Sequence, residues 1–160
     1  MDKKLKVLLL LGGTSPEREV SKSTGKSVYQ ALLNLGHEVV VIDPAYGINQ
    51  PFEVEDYFKE DDYSEILNEN YLDAVNLISA DQISVAFLAL HGKYGEDGTI
   101  QSLLELKGIK YTGSKVLSSA IAVSYTHLRA HETVLDLVCR LLLEKKNKQT
   151  KKKYYTTRYI

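Results

Sequence analysis

Apolar side chains in this chain come in short unbroken runs that stop at glycine-rich or acidic loops. KVLLLL (Lys6 to Leu11) ends on Gly12-Gly13, HEVVVID closes before Pro44, and VAFLAL (Val85 to Leu90) ends on His91-Gly92. A run without polar alternation is how a strand covered on both faces reads, and such strands build the parallel sheets of α/β proteins. Between the first two runs lies TSPEREVSKSTGKSVYQALLNLGH. Ser15 can cap a helix there, Pro16 fits its first turn, and Glu17 and Glu19 lie at its positive end. Val20, Val28, Leu32 and Leu35 can share one helical face, and Gly36 suits the stop. Strand, helix, strand in about forty residues predicts a right-handed βαβ unit. Residues 51–80 are polar and acidic, a connection with helix-like stretches around Tyr63 to Leu67 and Tyr71 to Ile78. After the third strand, Asp97 is placed to cap a helix TIQSLLELK that stops at Gly108. IKYTG (Ile109 to Gly113) predicts a short fourth strand, and Ser114 a cap for a helix beginning KVLSSAIA. The expected fold class is α/β: three layers, Rossmann-like, doubly wound, with a small parallel sheet ordered 2-1-3-4.

Composition narrows this little. The 160 residues are 44% hydrophobic and 26% charged, as in ordinary globular domains. No apolar run approaches the roughly 20 residues of a membrane span. The start, MDKKLKVLLLLGG, has the basic and apolar order of a signal peptide, but GGTSPE follows where a cleavage site would stand, so a cytoplasmic location is expected. A single cysteine, Cys139, excludes an internal disulfide and any multi-cysteine metal site. Charge is more telling. Residues 1–122 hold 11 basic and 18 acidic side chains, a net −7, whereas residues 123–160 hold 9 and 3, a net +6.

The candidate chemistry sits in two loops, GGTSPEREVS after the first strand and HGKYGEDG after the third. Ligands of open parallel sheets bind beyond the carboxyl ends of the strands, so neighbouring strands would bring these loops together. Together they offer Glu17, Glu19, Ser21, His91, Glu96 and Asp97, with glycines at 12, 13, 92, 95 and 98. Carboxylates can receive an amine, an imidazole can hold a carboxylate or move a proton, and glycines let a ligand approach backbone. Each residue singly also has a structural explanation: helix-dipole partner, cap, or a histidine that merely packs. Neither GxGxxG nor GxxxxGK[ST] occurs, so no phosphate-cradling fingerprint is present.

Taken together, LLGGTSPEREVS and LALHGKYGEDGTIQSLLELKGIKYTGS resemble the two signature segments of the N-terminal domain of D-alanine–D-alanine ligases, members of the ATP-grasp superfamily. The resemblance runs from about Lys6 to about Ala122. It implies that Glu17 acts at the substrate by receiving the ammonium of the first D-alanine, that His91 approaches that molecule's carboxylate, and that Glu96 supports it. Ser21 and Gly92 are implied as further substrate-site positions. It also implies ATP with Mg (or Mn) in the intact enzyme, D-alanine as partner, a role in peptidoglycan synthesis, and pairing into homodimers through this domain. Family chains are about twice this long, and the nucleotide-gripping part is absent, so no cofactor or metal is expected on this fragment and no ligation by it alone. Ligases that use D-lactate or D-serine as second substrate, and a non-catalytic amino-acid-binding domain, remain alternative readings.

Residues 123–160 depart from the family. Val123 to Thr133 look like a sequencing-library adapter translated in one frame, DLVCRLLLE resembles the adapter's far end, and the Lys-, Asn-, Thr- and Tyr-rich remainder looks like A-rich read-through. The domain is therefore expected to span 1–122, with a non-native tail at 123–160. On that reading His127, His131, Cys139 and the basic run from Lys145 to Arg158 carry no function, and neither nucleic acid nor membrane is a partner. An independent genomic read past the codon for Ala122 that matched the tail would overturn this.

Overall fold

The computed structural model describes residues 4–131, with side chains from 4 to 124. The chain divides into two compact units, Met1–Val123 and Ser124–Ile160, and the sheet and the loops at its edge belong to the first. Cys139 and the run from Lys145 to Arg158 lie outside the described residues, as do the side chains of His127 and His131.

Strand β1 (Lys6–Leu10), helix α1 (Arg18–Asn34) and strand β2 (Glu38–Ile42) form the expected βαβ unit. Short 3-10 turns at Pro44–Tyr46 and Val54–Phe58 lead to α2 (Asn70–Asn76), then β3 (Val85–Leu88), α3 (Thr99–Leu106) and α4 (Val116–His131). All strand pairs are parallel, in the order β2-β1-β3, with Leu8 paired to Val40 and to Ala86.

The unbroken apolar runs are explained by two cores. Leu8 and Leu10 point into one with Ile42, Tyr71, Val75, Ile100, Leu104 and Ile109, beneath α2 and α3. Leu9 and Leu11 point the other way, to Val41, Tyr57 and Ala89 with Val28 and Tyr29 of α1 packed over them. Side chains alternate across a strand, so burial on both faces needs apolar residues at every position. The result is three layers.

Three expectations need correction. The fourth strand is reduced to one parallel bridge, Ala86 with Tyr111, so the sheet has three strands ordered 2-1-3. Its ladder stops because the next donor, the Leu88 N–H, is taken by the Thr112 hydroxyl (3.2 Å), and Gly113 then turns away with φ +105°. The inward face of α1 is also different. Val20 and Leu35 are exposed at 55% and 70%, while Arg18, Ser21, Lys22 and Gly25 are buried. Gly25 is needed for closeness: a Cβ there would stand 2.5 Å from Leu11 Cδ2, so α1 rests directly on the end of β1. No helix forms at Tyr63 to Leu67, whereas α2 overlaps the second expected stretch, starting one residue before it.

Candidate functional site

The loops after β1 and β3 meet at the carboxyl edge of the sheet through two serine hydroxyls, each used twice. Ser15 Oγ accepts from the Glu17 N–H (3.1 Å) and donates to the His91 carbonyl (2.7 Å). Ser21 Oγ accepts from the Gly12 N–H (2.7 Å) and donates to the Ala89 carbonyl (2.8 Å). These contacts span 76 and 68 residues of sequence. Glu17, exposed at the start of α1, is thereby brought beside Gly92: a Cβ on Gly92 would lie 3.7 Å from the Glu17 carboxyl carbon and 3.0 Å from Ser15 Oγ.

His91 has a polar neighbour at each ring nitrogen. Nδ1 faces Glu96 Oε1 at 3.4 Å, and Nε2 faces Thr24 Oγ1 at 3.2 Å. A cavity of about 330 Å³ opens beside this pair, lined among others by Leu90, His91, Glu96, Gln101 and Thr112. Glu17 does not line it and approaches at Gly92 instead.

The HGKYGEDG loop is built around Tyr94, a bulky residue at φ +68°. That conformation is unfavourable for an L side chain and persists only when neighbours impose it. Here the Tyr94 N–H donates to Asp97 Oδ2 (3.1 Å), its carbonyl accepts from Ile100 N (3.1 Å), and its ring packs on Tyr71 at 5.3 Å. Asp97 also accepts from the Thr99 N–H (2.9 Å), capping α3 from one residue outside the expected position, with Gly98 at the helix boundary. Burial would raise the Asp97 pKa, but the hydrogen bonds from Thr99 and Tyr94 outweigh it and hold it below the usual carboxylate range.

Thus Glu17, His91, Gly92 and Glu96 share one rim. Ser21 does not reach it: the residue is fully buried beneath, and both roles of its hydroxyl are spent on backbone.

Behind Glu17 lies a charged cluster that sequence reasoning missed. Arg18, 6% exposed, pairs with Asp43, 0% exposed, at 2.7 Å, and donates to the Gly13 carbonyl (2.5 Å) and to Asp62 (2.8 Å). Asp43 Oδ1 accepts from the N–H groups of Gly13 and Ala45, both at 2.9 Å. Lys22 reaches Asp62 (3.1 Å), Glu19 (3.1 Å) and the carbonyls of Lys59 and Glu60. Burial would lower the Arg18 pKa, but Asp43 and Asp62 more than reverse this and the guanidinium stays charged. Burial pushes the Asp43 pKa up against the opposing pull of Arg18. The one available signal was an acid, Asp43, directly after the apolar run Val39 to Ile42.

For Asp62, burial is likewise outweighed by hydrogen bonds from Arg18 and Lys22, which depress its pKa. A depressed folded-state pKa contributes stability above the unfolded value, lost as pH falls through the folded one. Asp62→Asn is therefore expected to cost about 1 kcal/mol at neutral pH, discounted because the side chain is 36% exposed. The gap from the parent should close below about pH 4. Urea melts of both chains across that range check this; a gap that persists undiminished into acid would contradict it.

The architecture and rim define a doubly wound α/β domain whose two edge loops form one side of a small polar site. Residues 6–114 match the family model described as D-ala D-ala ligase N-terminus, and the chain belongs to that family. The D-alanine–D-alanine ligase of Desulforamulus reducens is 46% identical over 121 residues, which are 75% of this chain and 30% of that protein. The crystal structure of D-alanine–D-alanine ligase from Bacillus anthracis superposes with a TM-score of 0.52 at 35% identity, covering 80% of this chain and 35% of that one. The VanG D-Ala:D-Ser ligase of Enterococcus faecalis gives 0.54 at 25% identity, covering 74% and 38%. The chain therefore spans about 30% of the length of the curated relatives it matches.

Proposed function

We propose that residues 1–122 form the substrate-side wall of an ATP-dependent D-alanine–D-alanine ligase, an ATP-grasp enzyme of peptidoglycan synthesis working in the cytoplasm. The observation that carries this is the shared rim, where an acid at the start of α1 and an imidazole just after β3 are brought together by serine hydroxyls whose contacts span 76 and 68 residues. Glu17, exposed and in no ion pair among the described residues, suits an incoming ammonium. His91, oriented by Glu96, suits the carboxylate of the same small zwitterion, so substrate would be bound by its two charged ends and positioned for reaction. No described helix is long and apolar enough to cross a membrane. D-alanine as second substrate, rather than D-serine or D-lactate, is supported by the names of the more similar relatives. A homodimer through this domain is part of the same reading.

ATP and its magnesium would be held elsewhere in such an enzyme. Among the described residues no group of three or more His, Cys, Asp or Glu side chains is placed to hold a metal ion. The two buried cations of α1, Arg18 and Lys22, are spent on Asp43 and Asp62. These residues do not fit a nucleotide phosphate. The chain alone is accordingly expected to release no phosphate from ATP in a D-alanine-dependent way. A chimaera joining residues 1–122 to the remainder of the D. reducens ligase should do so. Activity in the isolated chain, or a folded, ATP-binding chimaera without it, would overturn the proposal.

A further inference from the structure

Both ring nitrogens of His91 have partners of different kinds. Glu96 at Nδ1 (3.4 Å) is a carboxylate and only accepts, whereas Thr24 at Nε2 (3.2 Å) carries a hydroxyl that donates or accepts. In a neutral imidazole one nitrogen bears the proton and the other a lone pair, and the partner of each decides which. We propose that Thr24 is a positioning residue for His91: its hydroxyl donates to Nε2 and, with Glu96 at Nδ1, fixes the neutral ring as the Nδ1–H tautomer. Thr24 lies on α1 one turn beyond Ser21, on the helix that also begins with Glu17 as its cap. One helix thus supplies the acid of the rim and the hydroxyl that orients its imidazole. The ring's backbone is fixed from the same helix end, through Ser15 Oγ to the His91 carbonyl.

The functional consequence rests on the ligase reading. A carboxylate arriving at Nε2 of the neutral ring meets a lone pair, so binding there requires the ring to take up a proton from solvent. The Thr24 hydroxyl then rotates from donor to acceptor and shares the single Nε2–H of the imidazolium with the incoming carboxylate. A threonine or serine can serve both states; valine, of the same shape, can serve neither.

The test needs no amino acid or nucleotide, so its outcome is separate from that of the chimaera. In the ¹⁵N-labelled full chain, on the alkaline side of the imidazole titration, the ring nitrogens of His91 are read by multiple-bond ¹H–¹⁵N correlation, with His91→Gln for assignment. Nδ1 is expected to be pyrrole-type and Nε2 pyridine-type. Thr24→Val should lower the Nδ1–H to Nε2–H ratio about three- to tenfold, the worth of one neutral hydrogen bond, and Thr24→Ser should restore it. A parent ring protonated on Nε2, or a ratio unmoved by Thr24→Val, would overturn the proposal. The parent spectrum decides the tautomer even if the valine variant fails to fold, and Thr24→Ala then supplies the second comparison.

Discussion

Replacing Arg18 by methionine is expected to destabilise the domain by about 3–5 kcal/mol, measured as a shift in the urea midpoint of the full chain. The volume is nearly kept, so the loss is electrostatic. Asp43, with no exposed surface, would be left buried without its cation. It could not simply be exchanged for an apolar residue, because its Oδ1 also satisfies the N–H groups of Gly13 and Ala45. The double change Arg18→Met with Asp43→Asn should therefore recover a substantial part of the loss, since an amide oxygen keeps both acceptor roles without the charge. A single variant within 1 kcal/mol of the parent, or a double variant no better than the single, would contradict this expectation.

The second large effect concerns binding. In the chimaera with the D. reducens ligase, Glu17→Gln should raise the KM of the first D-alanine about tenfold or more, the worth of a charge-assisted hydrogen bond, with the KM of ATP nearly unchanged. Loss of an interaction made equally to ground state and transition state raises KM and leaves kcat in place. Steady-state kinetics on both proteins separates the outcomes. Unaltered D-alanine affinity would remove Glu17 from the substrate site; an equal rise for ATP would indicate a distorted loop instead.

The parts of the fold that were legible are those set by local pattern. β1 and β3 declared themselves by unbroken apolar runs, and the glycines at 12, 13, 92 and 98, all at positive φ, marked where the chain turns at the rim. The meeting of Glu17 with the His91 loop followed from strand adjacency. What was hidden depended on partners remote in sequence. The inward face of α1 looked polar because Arg18 and Lys22 are satisfied by residues 43 and 59–62, and Ser21 by residues 12 and 89. Periodicity counts apolar letters, so it assigned burial to Val20 and Leu35, which face outward. The fourth strand failed for a similar reason: a threonine side chain took a donor that a longer ladder would have used. Thr24 escaped notice because a single hydroxyl in mid-helix carries no pattern at all.

The paired serine clasps also constrain how this domain can vary. Each fastens a carbonyl of the β3 loop, Ala89 or His91, to the helix-start segment by a single oxygen. Adding or deleting one residue between Leu88 and His91 would throw one clasp out of step with the other. Length change is therefore excluded between Leu88 and His91, and any graft onto this scaffold has to keep that spacing.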